Sequence, residues 1–342
     1  VATRQAASGF DPAGAGGRKR DASETRVMNE HWAVIGAGMA GLAAARRLGA
    51  AGRSVSLFDK SRGLGGRMAT RRAGGFRFDH GAQYFTTRGE RFRELVTRLT
   101  GEGLVGRWGE DHVGVPGMSA PAKRLAPQAT VVTECAVSSL TRGSHGWNVS
   151  TAEGPVATEG NGTFAGVIVA VPAPQAAPLL ASAGCNWAGA ARATYAPCWA
   201  LMLGFQARTA LSQDRLRPQD TTIAWIARDS SKPGRDATGD AVVVHATPGW
   251  SREHLEDTPE QAGAALHARF RALTGETAEP AFLAAHRWRY ALVEQPLGEA
   301  FFWDPSARLG ACGDWCIGPR VEAAFDSGDS LAAAILGPDP AR

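Results

Sequence analysis

The stretch that decides the fold reads Trp32-Ala33-Val34-Ile35-Gly36-Ala37-Gly38-Met39-Ala40-Gly41, and is followed by a helix-forming segment, a second apolar run from Ser54 to Phe58, and Asp59. Strand, glycine turn, helix, strand and acid in that order are expected of a dinucleotide-binding βαβ unit. Gly36 permits the tight turn, Gly38 lets backbone approach a pyrophosphate, and Gly41 allows the helix to pack closely on the sheet. The helix N-terminus then faces the phosphates with unsatisfied N–H groups. Asp59 falls near the spacing of about 20 residues at which a carboxylate accepts hydrogen bonds from a ribose.

Outward from this unit, Lys60-Ser61-Arg62-Gly63-Leu64-Gly65-Gly66-Arg67-Met68 is a second glycine-rich loop, carrying three cations. It stands just beyond the ribose acid, where further phosphate oxygens can be held, and an NAD-binding unit does not usually need it. At the other end of the chain, Leu309-Gly310-Ala311-Cys312-Gly313-Asp314-Trp315 reads as a strand ending in Gly-Asp, ahead of a helix that begins near Val321. The two halves together resemble the glutathione-reductase-type flavoproteins, in the branch that holds flavin amine oxidases and renalases. That resemblance implies non-covalent FAD, with Asp314 against ribityl or pyrophosphate oxygens. It also aims the helix dipole at the flavin N1 and O2 edge, where reduction develops negative charge.

The expected fold is therefore α/β, a glutathione-reductase-type FAD-binding Rossmann domain made discontinuous by an inserted antiparallel-sheet (α+β) substrate domain. Segments 28–82, 113–182 and 300–342 are assigned to the first and 83–112 and 183–299 to the second. Residues 1–27, with Gly, Ala, Ser and Arg in place of any apolar period, read as a disordered extension, and Met28 as the natural beginning. A chain of 342 residues accommodates two such domains. With 44% apolar residues but no run near the roughly 20 that a membrane helix needs, it reads as soluble, without membrane partners. The net charge of +4 comes from arginines spread along the chain, which favours small anionic ligands over nucleic acid. Five cysteines and no secretory pattern fit a reducing cytoplasm. Cys312 and Cys316 lack the spacing of a redox pair and read as structural; no metal site is expected.

Along the chain, Gly75 to Asp79 reads as a short strand, Gly89 to Leu99 as a helix, and Thr130 to Val137 with Trp147 to Val156 as an antiparallel meander. Phe164 to Val171 is an apolar run suited to a buried parallel strand, followed by a helix. Separated β runs then occur at Cys198 to Phe205, Thr222 to Arg228, Ala241 to Thr247 and Phe282 to Leu292, with an amphipathic helix from Pro259 to Leu273. Seven of the ten tryptophans lie between Trp187 and Trp315, where a pocket with aromatic walls is expected, although most single tryptophans belong to cores.

Further stretches, among them Gly81-Ala82-Gln83-Tyr84-Phe85-Thr86, Ser231-Lys232-Pro233-Gly234-Arg235 and His286-Arg287-Trp288-Arg289-Tyr290, are similar to bacterial members of the renalase-like branch of the FAD-dependent amine oxidase superfamily. The likeness runs from about Trp32 to Leu336. It implies an oxidase that returns 2- and 6-dihydro isomers of NAD(P)H to NAD(P)+ by hydride transfer to flavin N5 and passes the electrons to O2, giving hydrogen peroxide. A flavin amine oxidase for another small donor and a non-catalytic FAD-binding protein stand as alternatives.

By motif position, the resemblance assigns Met39, Asp59, Lys60, Arg67, Ala82, Gln83, Val137, Asp314 and Val321 to FAD, beside Gly36, Gly38, Gly41, Gly66 and Gly313 of the glycine turns. It assigns Tyr84, Phe85, Thr86, Thr87 and Arg88, with Arg320, to the dinucleotide substrate. Tyr84 can pack on a nicotinamide, and Arg88 and Arg320 can meet an anion. Cys198 stands at a pocket position where the branch has Thr. His245, Arg287, Trp288 and Tyr290 are weaker candidates, of which Trp288 and Tyr290 are favoured because only one face of an alternating strand meets a ligand. No catalytic base is expected: the dihydropyridine nitrogen is already alkylated, so loss of hydride alone gives an aromatic cation. Consistently, the lysines (Lys19, Lys60, Lys123 and Lys232) do not read as placed to hold a water at N5. The segment between Trp108 and Pro116 is shorter than in bacterial renalases, which implies a more open pocket.

Overall fold

The computed structural model describes residues 30–126, 129–156, 162–185, 187, 189–235 and 239–338. The N-terminal extension, Lys19 and Met28 lie outside them.

The apolar runs His31–Ile35 and Ser54–Phe58 lie inside a six-stranded sheet. Its order is Phe302–Asp304, Leu309–Ala311, Gly166–Val169, His31–Ile35, Ser54–Phe58 and Thr130–Val132, parallel except for Phe302–Asp304 at one edge. Helices Met39–Ala50 and Val321–Leu336 cover one face, and the strands Val137–Gly143 and Gly146–Thr151 with the helix Ala173–Ser182 cover the other, so the inner strands are apolar without alternation: Gly166–Val169 is buried at every position. The register sets Ile35 beside Phe58 and Val169, and Val169 beside Ala311. The C-terminal ends of four parallel strands therefore finish level, which is where doubly wound sheets bind ligands.

Thr130–Val132 differs from expectation. It does not join the meander but adds to the parallel sheet beside Ser54–Phe58, because Glu134 takes a left-handed turn (φ 55°) that separates it from the next strand. The meander itself runs over Val137–Gly143, Gly146–Thr151 and Gly154–Pro155. The second large sheet is antiparallel, in the order Arg215–Leu216, Ile223–Arg228, Asp240–Ala246, Thr194–Phe205 and Phe282–Gln295, with the helix Pro259–Thr274 packed on one side. The short segment after Trp108 is a tight hairpin, Val105–Trp108 against Asp111–Gly114.

Two helices matter for function. Met39–Ala50 follows the first strand and Val321–Leu336 follows the last, and they cross closely enough that a Cβ on Gly328 would sit 2.0 Å from the Ala40 carbonyl oxygen. Neither has a side-chain N-cap, whereas Pro259–Thr274 carries a full capping box from Thr258 and Gln261. Gly41 packs as tightly: a Cβ there would meet the Gly36 carbonyl oxygen at 2.0 Å. Gly41→Ala is accordingly expected to lower stability by more than about 2 kcal/mol, read as a fall in Tm together with loss of bound flavin.

Candidate active site

A cavity of about 1950 Å³ opens at the C-terminal ends of the parallel strands and extends to the antiparallel sheet. Ordinary small-ligand sites occupy about 300–1,000 Å³, so this one has room for a dinucleotide and a second ligand.

The Rossmann end is built for phosphate. Gly36, Gly38 and Met39 line it at the uncapped N-terminus of Met39–Ala50, and a Cβ on Gly38 would meet no atom within 4 Å. That glycine leaves open space where a pyrophosphate would lie against the backbone. Asp59 accepts from Ala37 N at 2.7 Å through Oδ2 and from Ser61 N at 2.8 Å through Oδ1, so it braces the turn while facing the cavity. Lys60, Arg62, Gly66, Val137 and Lys123 complete this wall. Gly41 and Gly313 stand behind it and shape the turns without lining them.

The two halves of the signature meet in a bidentate pair. Arg67 Nη1 and Nη2 each donate to Asp314 at 2.7 Å, and Nη1 also reaches the Ala291 carbonyl at 3.3 Å. Burial alone would lower the Arg67 pKa, but Asp314 outweighs it and the net shift is upward. Ala82 N donates to the Arg67 carbonyl at 2.8 Å, which seats the His80 to Gln83 segment on the Gly-Gly-Arg loop. Ala82, Gln83, Asp314 and Val321 all face the cavity, with the second uncapped helix N-terminus beside them.

Of the residues expected at the substrate side, Tyr84, Thr86, Arg88, Cys198 and Arg320 line the cavity, as do His245, Arg287, Trp288 and Tyr290. Phe85 reaches the wall but is buried, stacked on His112 and edge-on to Phe92, so its ring serves the core. Thr87 stands outside the lining. Of the seven tryptophans in the second half, only Trp225 and Trp288 face the cavity; Trp199 and Trp315 are core. Trp288 donates from Nε1 to the His80 carbonyl at 2.9 Å. Burial pushes His245 down to about 4, and burial with the neighbouring His286 pushes His80 to about 4, so both are neutral at pH 7. Burial pushes the Cys198 thiol up to about 12, which removes it as a nucleophile. The Cys312 and Cys316 thiols are buried, free and likewise raised.

Sequence reasoning missed one cluster. Lys232, in a Ser-Lys-Pro sequence that reads as a turn, is fully buried: its Nζ pairs with Asp229 at 2.5 Å and Asp79 at 3.2 Å, and donates to Gln83 Oε1 at 3.2 Å. Arg235 pairs with the same Asp79 at 2.5 Å. Burial would raise Asp79, but the two cations hold it below the usual carboxylate range, while burial raises Asp229 to about 6. A lysine therefore lies one hydrogen bond behind a cavity-lining side chain. The only local clue was an acid three residues earlier. His80, Arg217 and Trp225 also line the cavity without having been singled out.

Comparison with known proteins agrees with this geometry. Residues 34–99 match the NAD(P)-binding Rossmann-like domain family and residues 102–336 match the flavin containing amine oxidoreductase family. The chain belongs to the flavin containing amine oxidoreductases. Cyclohexylamine oxidase from Brevibacterium oxydans IH-35A has a similar fold, at TM-score 0.64 and 12% identity, covering 90% of this chain and 98% of that one. A putrescine oxidase solved with putrescine gives TM-score 0.63 and 13% identity, over 90% and 99%. Among curated proteins, the 4,4'-diapophytoene desaturase of Staphylococcus haemolyticus (strain JCSC1435) is 42% identical over 74 residues, which is 19% of this chain and 15% of the desaturase. Family, fold and cradle together make FAD the cofactor, held non-covalently. Among the described residues no helix is long and apolar enough to cross a membrane, and no side-chain group is arranged to hold a metal.

Gly38→Val would place a branched side chain in the open space above the turn. The variant is expected to fold with a near-normal Tm but to purify with less than about a tenth of the wild-type flavin absorbance, given the close approach that pyrophosphate makes to this position.

Proposed function

We propose that the protein is a renalase-like oxidase that returns 2- and 6-dihydro isomers of NAD(P)H to NAD(P)+, with O2 reduced to hydrogen peroxide. The observation that carries this reading is the charge of the cavity. Its lining holds eleven lysine and arginine side chains against two carboxylates, Asp59 and Asp314, both on the FAD side. Asp314 is already paired with Arg67, and Arg287 and Arg289 are engaged by Glu256. Arg71, Arg88, Arg217 and Arg320 form no ion pair among the described residues. Such a field attracts a dinucleotide and repels the ammonium of an amine donor.

FAD, when bound, supplies the hydride acceptor and passes the electrons to oxygen. The chain's part is to bind and orient the donor: Tyr84 and Trp288 give flat walls for a nicotinamide ring, while Arg88 and Arg320 meet its anionic part. Oxidation leaves a cationic pyridinium, and the neutral states of His80 and His245 avoid placing like charge beside it. No residue has to remove a proton, which agrees with a wall that holds neutral imidazoles and a high-pKa thiol in place of a paired base.

A second reading, oxidation of an amine, is favoured by the family and by Lys232 behind Gln83. Two carboxylates hold that lysine, which leaves it less free to hold a water at the flavin. Anaerobic stopped-flow separates the readings. Dihydronicotinamide isomers are expected to bleach the flavin absorbance at least about a hundredfold faster than ordinary NADH, and a panel of alkyl and aryl amines to leave it unchanged within the same interval. Bleaching by amines alone would reject the dihydronicotinamide reading.

A further inference from the structure

We infer that Arg217, with Arg88 and Arg320, forms a subsite for the phosphate groups of the donor, and that this subsite sets a preference for phosphorylated over phosphate-free dihydropyridines. The inference rests on the dinucleotide-donor reading above and specifies which side chains take the anionic end.

Arg217 follows the short strand Arg215–Leu216 at the edge of the antiparallel sheet and lines the cavity. Its guanidinium is held on two sides: Nη2 donates to the Tyr84 hydroxyl at 2.8 Å, and the group lies 4.4 Å from the centre of the buried Trp225 ring. Trp225 is in turn flanked by Tyr84, at 5.9 Å between ring centres, and by the Arg215 guanidinium at 5.7 Å. The remaining N–H donors of Arg217 meet no acceptor among the described residues. A guanidinium presents five donors in a fixed fork that suits phosphate oxygens.

The nearby acids are occupied elsewhere. Asp214 pairs with Arg228 at 2.6 Å, and both oxygens of Asp220 are used, one by Arg269 and one by the Thr222 and Ile223 amides. The other two arginines are only partly compensated: Asp326, the acid that senses Arg320, is pushed towards its neutral form by burial. Glu322, which could have neutralised Arg88 or Arg320, spends Oε1 on the backbone N–H groups of Arg88 at 2.8 Å and Gly89 at 2.6 Å. That contact fixes the Arg88 backbone to the first turn of the C-terminal helix, directly after Arg320. Three exposed guanidiniums thus stand on anchored backbone or aromatic supports along one cavity, none of them in an ion pair among the described residues. Cations that line one cavity without ion pairs suit a multivalent anion such as a diphosphate. The FAD diphosphate belongs to the Rossmann end, so this one is the donor's.

The test uses the FAD-loaded protein and two readouts. ADP-ribose, which has the diphosphate but no hydride to give, is titrated by calorimetry. The 6-dihydro isomer of NADH and the 6-dihydro isomer of N-methylnicotinamide, which lacks phosphate, are compared in anaerobic flavin reduction. Arg217→Ala is expected to weaken ADP-ribose binding about tenfold and to cut the preference for the dinucleotide over the phosphate-free donor by a similar factor, as loss of one charge-assisted contact implies; Arg217→Lys should recover part of both. Unchanged ADP-ribose affinity would overturn the subsite, and so would an unchanged donor preference. Should neither donor reduce the flavin, the donor reading fails, while weakened ADP-ribose binding in the variant would still support the subsite.

Discussion

The bidentate contact between Arg67 and Asp314 is the constraint on which the rest of the structure depends. It joins a loop in the first quarter of the chain to the last strand-to-helix turn, and Asp314 is only 6% exposed. A carboxylate so buried costs several kcal/mol if its partner is removed. The pair spans the cavity floor between two uncapped helix N-termini, and the Arg67 carbonyl on the same loop seats the His80 to Gln83 segment by accepting from Ala82 N. Anion-binding groups from both ends of the chain thereby converge on one dinucleotide.

Charge then divides the cavity by task. At the FAD end, cations are accompanied by Asp59 and Asp314; beyond it, Arg287 and Arg289 pair with Glu256, while Arg88, Arg217 and Arg320 form no ion pair among the described residues. Between these regions the titratable groups are kept uncharged, His80 and His245 by burial that pushes them to about 4 and Cys198 by burial that pushes it to about 12. This arrangement suits transfer of hydride from an anionic donor whose ring becomes cationic. It suits proton abstraction from an ammonium poorly. The buried Lys232, Asp79, Asp229 and Arg235 cluster adds rigidity behind Gln83 without adding net charge.

What could be read from the sequence was what local chemistry dictates. The turn at Gly36, the acid at Asp59 and the Gly-Asp pair before the last helix are each set by spacing within a few residues, and all three stand where the spacing put them. Elements whose fate depends on distant partners were harder. Thr130–Val132 is a β run either way, and only its neighbour Ser54–Phe58 decides which sheet it joins. Lys232 lies in a Ser-Lys-Pro sequence that reads as a turn, and its burial depends on Asp79, far away along the chain. Tyr84 and Phe85 are adjacent, so they point to opposite sides; the first faces the cavity and the second packs on Phe92. Arg217 sits in a polar loop with no motif, and the role proposed for it rests on Tyr84 and Trp225 folded against it.

The two chain ends converge on one FAD cradle, and the proposed donor site lies beside it. The most direct measurement is the flavin-to-protein absorbance ratio of purified Asp314→Ala beside that of Arg320→Ala. Asp314→Ala is expected to lose most of its flavin, because Arg67 is left unpaired and the cradle open, while Arg320→Ala should remain yellow at close to the wild-type ratio. Equal loss of flavin in the two variants, or full retention in Asp314→Ala, would contradict the account.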